Sequence, residues 1–408
     1  MAEAPWREVA IEAAAGRDEI RRRAAAALAE GPLCDDCLGR LFAQVATGLA
    51  NRRRGEAVRG ALDFCPAAGP CRLCQGLFAG LDAWAARARQ ALEDLEFDTF
   101  LVASHADPAM AAREEALWRA VGGDLAEPLK QAFNRELALR LGEPGVAEPD
   151  FTHPDVVVVA DHAAGTVTVE VRPLYVGGRY RKLVRGIPQC RWSRWATSVQ
   201  AIIGDPVVRA AGAEDHRLHG CGREDVDVRC LAERPFALEV LRPRRRRLDW
   251  PALAREIGRD GRVEVLDLGP VSPAAPADLK ALRPDKTYRA TVRLAAPVEA
   301  AALARLGGLV GTILQETPAR VAARRSRQVR RREVLTAAWR AANPQTLQLE
   351  VRTSAGLYVK ELVSGDGGRT RPSVADLLGV AAECAELDVT AIHLAEPWPP
   401  AAALPASA

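Results

Sequence analysis

An α+β architecture is what this sequence predicts, and three observations predict it. Residues 82–95 and 111–141 space their apolar side chains at the helical period. The run VVVVA within 155–160 and the run TVTVEV within 165–171 alternate as strands on either side of a turn, which reads as a hairpin. Further strand patterns follow at 225–231, 235–241, 262–294 and 347–351. With 408 residues the chain has room for two or three domains. Its apolar content of 48% and charged content of 27% describe a globular chain rather than a disordered one.

Taken in order, the first 30 residues pattern as one amphipathic helix that stops near Gly31 and Pro32. Cys34-x-x-Cys37 follows and, after 33 intervening residues, Cys71-x-x-Cys74. Two such pairs on turns can present four thiolates to Zn²⁺, so a metal site is expected rather than disulfides. Cys65 lacks a CxxC partner and is left out. Pro70 with Cys71 and Cys74 matches half of a zinc deaminase signature. The upstream H-x-E of that signature is missing, because the first histidine is His105. The expected zinc is therefore structural. A strand at 97–104 sits between the two helical stretches, and this small α/β module ends within 172–180.

Residues 179–195 (RYRKLVRGIPQCRWSRW) interleave six basic side chains with Tyr180, Trp192 and Trp195. Guanidinium groups grip phosphate and aromatic rings stack on bases, although an arginine-rich surface loop anchored by tryptophans reads equally well. Next comes 219–234 (HGCGREDVDVRCLAER), where Gly220 and Gly222 precede Glu224, Asp225 and Asp227. From 225 onward charged and apolar residues alternate, as in a strand with one buried face. Alone, this stretch is an acidic turn ahead of an edge strand. Residues 242–247 (RPRRRR) and 320–332 (RVAARRSRQVRRR) are locally basic, although the net charge is only +3. Alternation over 356–360 puts Tyr358 and Lys360 on one strand face. The GDGG turn at 365–368 is no phosphate-binding Walker loop, since no Gly-Lys-Ser/Thr follows, and Asp366 reads as structural. A short helix opens at 374–378. Five lysines stand against 51 arginines, and Lys182, Lys286 and Lys360 fall in these same stretches, as do all four tyrosines (Tyr175, Tyr180, Tyr288, Tyr358). The sequence shows no signal peptide and no apolar run long enough to span a bilayer, so a soluble cytoplasmic protein without membrane partners is expected.

Five segments in order now carry a resemblance: GGRYRKLVRGIPQ (177–189), GREDVDVR (222–229), KTYRATV (286–292), QETPARVAARR (315–325) and AGLYVKELVSGDGGRTRPS (355–373). Together they resemble the archaeal tRNA pseudouridine synthases that modify uridines 54 and 55 of the T-loop. The likeness covers the chain from about residue 150 onward. It reaches the amino-terminal part through the CxxC pairs and a module similar to a THUMP domain. The fold it implies is α+β: a zinc-containing THUMP-like α/β module, then a pseudouridine synthase catalytic domain with a mixed, largely antiparallel sheet. Expected boundaries are 1–80 for the amino-terminal helix and four-cysteine module, 81–178 for the THUMP-like module and 179–398 for the catalytic domain.

The resemblance also implies roles. Asp225 is the nucleophile, Tyr288 stacks on the flipped uracil, and Tyr358 is a second tyrosine contacting the substrate. Lys360 pairs with the catalytic acid, and either Lys360 or Arg223 supplies the cation that keeps Asp225 ionised. Glu224 and Asp227 frame the loop. Cys34, Cys37, Cys71 and Cys74 are the zinc ligands. Catalysis needs no cofactor. The partner is tRNA, contacted at the T-loop and acceptor end by a monomer. Two departures stand away from the chemistry: Ala322-Ala323 before Arg324-Arg325, and Cys190 after Gln189. A non-catalytic zinc-bearing tRNA adaptor would need the basic runs and the CxxC pairs, but not tyrosines and a lysine gathered around an acid. Other THUMP-bearing enzymes, methyltransferases or thiolases, would need a cofactor or pyrophosphatase loop that the sequence lacks.

Overall fold

Asp18 and Glu19 open the first long helix among the described residues, α1 (Asp18–Ala29), where carboxylates complement the positive end of the helix dipole. Ile20, Ala24, Ala27 and Leu28 form its buried face at helical spacing. The computed structural model describes residues 17–62, 69–142, 147–322 and 326–399, with residues 10, 13 and 14. Most of the expected helix ahead of α1 lies outside the described residues, as do Cys65, Ala323, Arg324 and Arg325. The chain divides into two compact units, Met1–Arg172 and Pro173–Ala408.

In the first unit, α2 (Asp35–Arg40) and α3 (Asn51–Gly60) meet through two glycines. A Cβ on Gly39 would lie 1.8 Å from the Asn51 carbonyl oxygen, and one on Gly55 would lie 1.9 Å from that of Asp35, so only glycine permits this approach. Then come α4 (Leu81–Leu92), β1 (Thr99–His105), α5 (Pro108–Val121), α6 (Leu129–Leu141), β2 (Glu148–Pro149), β3 (Val156–Asp161) and β4 (Thr166–Val171). The four strands pair in the order β2-β1-β3-β4. β1 runs parallel to both its neighbours, and β3 and β4 form the expected antiparallel hairpin. Trp84, Phe100, Phe133, Val156 and Val158 belong to the core beneath them.

The second unit contains β5 (Leu174–Lys182), α7 (Val199–Ala211), β6 (Asp215–Gly220), β7 (Val228–Leu241), α8 (Trp250–Gly258), β8 (Val263–Pro270), α9 (Ala275–Ala281) and β9 (Asp285–Leu294). It continues through β10 (Gly311–Glu316), β11 (Val329–Asn343), β12 (Thr346–Thr353), α10 (Val359–Ser364), β13 (Thr370–Arg371), α11 (Val374–Leu378) and β14 (Ala382–His393). Its sheet runs β13-β10-β11-β12-β9-β14-β7-β5-β8, with β6 paired to β7. β7 and β14 are parallel, placing Val228 opposite Leu387, while the other described pairs are antiparallel. The sheet is thus mixed and largely antiparallel. Among the described residues no helix is long and apolar enough to cross a membrane.

Two segments differ from the sequence pattern. The strand expected from 225 begins only at Val228. Its would-be first carbonyls are drawn into a loop: the Lys182 ammonium donates to Asp225 O at 3.0 Å and Val226 O at 3.1 Å, as well as to Ile187 O at 2.8 Å, while Val228 N and Gly186 N donate to Asp225 O and Val226 O. The strand expected over 356–360 is a turn that enters α10, so Lys360 sits on a helix. Gly356 turns the chain at φ +85°. Gln315 then holds Tyr358 by its main chain, accepting from Tyr358 N at 2.8 Å and donating to Tyr358 O at 3.0 Å.

Candidate active site

The loop between β6 and β7 carries three acids, and the fold separates them. Glu224 turns inward. Its carboxylate lies 3.0 Å from Arg234 Nε, and Tyr180 donates its hydroxyl to it at 3.1 Å. Gln189 braces the group by donating to Tyr180 Oη at 2.8 Å and to Gly222 O at 3.0 Å. Arg234 in turn donates to Cys221 O at 2.8 Å. Burial holds the Tyr180 hydroxyl protonated well above its usual range, so it serves as a donor to the Glu224 charge. Lys182, pinned to three carbonyls, completes the underside.

Asp225 and Asp227 face outward. Arg320 Nη1 lies 3.0 Å from Asp225 Oδ2, and Lys360 Nζ lies 3.5 Å from the same oxygen. Lys360 also donates to both oxygens of Asp227 at 2.7 Å. Burial pushes the Asp227 carboxyl up, but the Lys360 hydrogen bond and charge outweigh it and hold the group below the usual range. Arg320 is held from behind, donating from Nε to Glu361 Oε1 at 2.6 Å, and its guanidinium centre lies 5.9 Å from the centre of the Tyr358 ring. The segment carrying Arg320 is itself tied down, since Ala319 N donates to Asp366 Oδ2 at 2.9 Å.

Asp225 borders a cleft of about 640 Å³. Asp225, Arg223, Tyr288, Tyr358 and Lys360 all line it, so the structure gathers in one place the expected acid, the two expected substrate tyrosines and the two candidate cations. Tyr288 rises from the middle of the sheet, where β9 lies between β12 and β14 and Tyr288 pairs with Val351 and Val389. Burial pushes its hydroxyl pKa up to about 12, so it presents a neutral ring. Leu387 and Val389 of β14 and Val228 of β7 add apolar floor. Trp192, Arg330 and Arg332 stand at the walls. Arg223 is exposed and pairs with no carboxylate among the described residues. The cations on Asp225 are Arg320 and Lys360. Arg320 and Glu361 were not recognisable as site residues from sequence. Arg320 was visible only as the first member of a basic run, and Glu361 as one helix acid among many. The other basic run, 242–247, is not part of the cleft lining, and Arg242 pairs with Glu214 at 3.1 Å.

In the first unit the four CxxC cysteines converge, with all four sulfurs within 4.8 Å of one another. Cys34 Sγ and Cys74 Sγ are 3.7 Å apart. A tetrahedron with Zn–S bonds of about 2.3 Å has S···S edges of about 3.8 Å, so the quartet has the size of a closed metal site. Hydrogen bonds within the quartet push the Cys37 thiol up and the Cys71 and Cys74 thiols down, so the four sulfurs act on one another as a single cluster. Arg40, fully buried beside Cys37, brings a cation toward the sulfurs and is anchored by Glu114 and Glu127 O. A metal ion fits this donor set.

Comparison with known proteins adds a family to this geometry. Residues 175–393 match the family profile described as "Pus10, C-terminal", and residues 84–161 match "Pus10 THUMP domain, archaeal". A protein of Methanothrix thermoacetophila named tRNA pseudouridine synthase Pus10 is 38% identical over 412 residues, covering 88% of this chain and 91% of its own. Like-named proteins of Halorubrum lacusprofundi and Pyrococcus furiosus are 38% and 37% identical, covering 92% and 91% of this chain and 96% and 97% of theirs. Among solved structures, a chain of a Cbf5-Nop10-Gar1 complex aligns at 19% identity with a TM-score of 0.33, over 52% of this chain and 48% of that one, too loose a likeness to argue from. By family profile and by near-full-length identity, the chain belongs to the Pus10 family and is a tRNA pseudouridine synthase, an isomerase with a THUMP domain.

Proposed function

We propose that the chain isomerises uridine 54 and uridine 55 in the T-loop of tRNA, with Asp225 as the nucleophile and the target base flipped into the cleft. The observation that carries this reading is the setting of Asp225: a half-exposed carboxylate at the edge of a tyrosine-lined cleft, ion-paired on the open side by Arg320 and Lys360. The reaction breaks the C1′–N1 bond, turns the base and rejoins it through C5. Uridine's C5–H and N1–C1′ bonds become C5–C1′ and N1–H, so no redox cofactor is needed. An ionised carboxylate starts it, at the sugar or the base. Tyr288 and Tyr358 offer rings on which the extruded uracil stacks, offsetting part of the cost of unstacking it from the RNA. Arg223, Arg330 and Arg332 lie where backbone phosphates flanking a flipped nucleotide would pass.

The division of labour we propose is a zinc module over 1–80, a THUMP-like RNA-binding module over 81–178 that holds the acceptor end, and a catalytic domain over 179–398. The protein acts as a monomer in the cytoplasm. The metal at Cys34, Cys37, Cys71 and Cys74 is zinc, in a structural role, and elemental analysis giving one zinc per chain checks it. For the reaction, the test is Asp225→Asn on unmodified tRNA, with pseudouridine mapped by carbodiimide treatment and primer extension. The expected result is no product at either uridine from a protein that melts like the parent. Normal product at both positions would overturn the assignment.

A further inference from the structure

Lys286 stands in the sequence motif that also carries Tyr288, yet nothing so far has given it work. It is two residues from Tyr288 on β9, so the two side chains share a face of the strand. It lines the same cleft as Asp225 and Tyr288, while only 8% of its surface is exposed. An ammonium has three hydrogens to donate. Among the described residues this one makes a single hydrogen bond, to Pro284 O at 3.2 Å, and has no carboxylate within ion-pairing distance. The contrast with Lys182 is direct, because that equally buried lysine places its three donors on three carbonyls. Gly222, an exposed cleft residue, borders Lys286. A Cβ there would lie 3.5 Å from Lys286 Cε and 3.7 Å from Nζ. The Arg234 guanidinium comes within 3.1 Å of the same added Cβ.

A buried cation with idle donors, opening on a cleft, fits an anion that is present only part of the time. Burial and the neighbouring Arg234 both press the Lys286 ammonium below its ordinary pKa, so an arriving negative charge would be strongly favoured. Resting on the reading of the cleft as the pseudouridylation centre, we propose that Lys286 is a catalytic residue that hydrogen-bonds a carbonyl oxygen of the uracil and stabilises the uracilate formed when C1′–N1 breaks. When that bond breaks, its electron pair leaves with N1, and the charge spreads over N1 and the two carbonyl oxygens. The ammonium donates a hydrogen bond to that charge and transfers no proton. When C5 attacks C1′ the electron pair forms the new C5–C1′ bond, which discharges the uracilate; loss of the C5 proton and protonation of N1 then complete the isomerisation with no net change of charge. Removing one such preorganised donor typically costs about 10²–10³ in rate.

The test compares two leaving groups. Single-turnover rates are measured for parent, Lys286→Gln and Lys286→Arg on tRNA carrying uridine and on tRNA carrying 5-fluorouridine, whose base is the more acidic and leaves more readily as an anion. Loss of the N1-linked nucleoside is the common readout, because fluorine at C5 blocks the last deprotonation. Lys286→Gln is expected to slow uridine cleavage by about 100-fold and fluorouridine cleavage by about tenfold or less. Lys286→Arg should recover at least tenfold of the uridine rate, with tRNA affinity within about twofold throughout. Lys286→Met takes the place of the glutamine variant if that variant does not fold. An equal loss on both substrates, or a parental rate without the ammonium, overturns the proposal. Asp225→Asn run alongside separates the two ideas: an inert Asp225→Asn with an unimpaired Lys286→Gln removes only the role of Lys286, whereas an active Asp225→Asn removes the reading of the cleft itself.

Discussion

On one side of the loop that joins β6 to β7, Glu224 and Arg234 each expose 1% of their side chains and lie 3.0 Å apart. On the other side, Asp225 and Asp227 expose 41% and 68% and share Lys360 between them. Adjacent acids in one short segment thus sit in opposite surroundings. The sealed pair has every reason to be permanent: its charges have lost their water, and they are compensated by each other, by Tyr180 and by the loop backbone. The open pair is still hydrated, so its partners can be exchanged for substrate atoms at little cost. A nucleophile has to be ionised and reachable together, and only the open side meets both conditions. The sealed side keeps the loop in shape, so that Asp225 is presented rather than folded away.

That contrast can be broken most forcefully from the sealed side. Arg234→Met leaves the Glu224 charge buried with Tyr180 as its remaining partner, and removing one member of a buried pair costs about 3–5 kcal/mol. Denaturant titration should show that loss, and the double variant Arg234→Met with Glu224→Leu should recover much of it, because no orphan charge remains. A single variant as stable as the parent would mean that the pair is not sealed after all. Asp225→Asn is expected to do the reverse, abolishing product while the unfolding midpoint stays put.

A middle-sized effect belongs to Glu361. It is buried, it holds Arg320 against Asp225 through one carboxylate oxygen, and the other oxygen has no hydrogen-bond partner among the described residues. Glu361→Gln trades a charge-assisted hydrogen bond for a neutral one and loosens the arm that carries Arg320. The single-turnover rate should fall by about tenfold, or about 1.4 kcal/mol of barrier, with tRNA affinity almost unchanged. Recovery in Glu361→Asp would support a positioning role, and a loss confined to tRNA binding would refute it.

Much of this was legible in the sequence, for identifiable reasons. The CxxC pairs declare themselves because thiolate spacing follows from metal geometry, and the β3–β4 hairpin does so because alternation and turn residues coincide. The site was harder to see. In the alternation from 225 to 231 nothing reveals that Lys182, more than forty residues earlier, captures the loop carbonyls and delays the strand to Val228. Equally, the alternating pattern at 356–360 cannot show that Gly356 turns and that Gln315 takes up the main chain of Tyr358, leaving Lys360 on a helix. Both misreadings arise where a side chain binds main-chain groups across a long sequence separation. Arg320 and Glu361 escaped for the same reason, since their pairing depends on β10, α10 and the loop between β6 and β7 meeting in space.

The smallest effect should come from Asp227, and its sign can be worked out. Lys360 holds the Asp227 carboxyl below its ordinary value against the upward push of burial. The unfolded chain therefore binds the Asp227 proton more readily than the folded one. The pairing stabilises the fold above the ordinary carboxylate pKa of about 3.9, and that contribution is lost as the pH falls through the lower folded value. Because the side chain is 68% exposed, solvent screens the interaction, and less than about 1 kcal/mol is at stake at neutral pH. Asp227→Asn should flatten the acid limb of the stability curve, measured by denaturant titration between about pH 3 and 6, and leave the neutral value nearly unchanged. In the same variant Lys360 keeps a neutral acceptor at position 227, and Asp225, 3.5 Å away, is the carboxylate left for it to pair with among the described residues. Pseudouridine formation should then persist within about threefold of the parent. A folded Asp227→Asn protein with no activity would show that the open side divides its work differently, with Asp227 rather than Asp225 reaching the substrate.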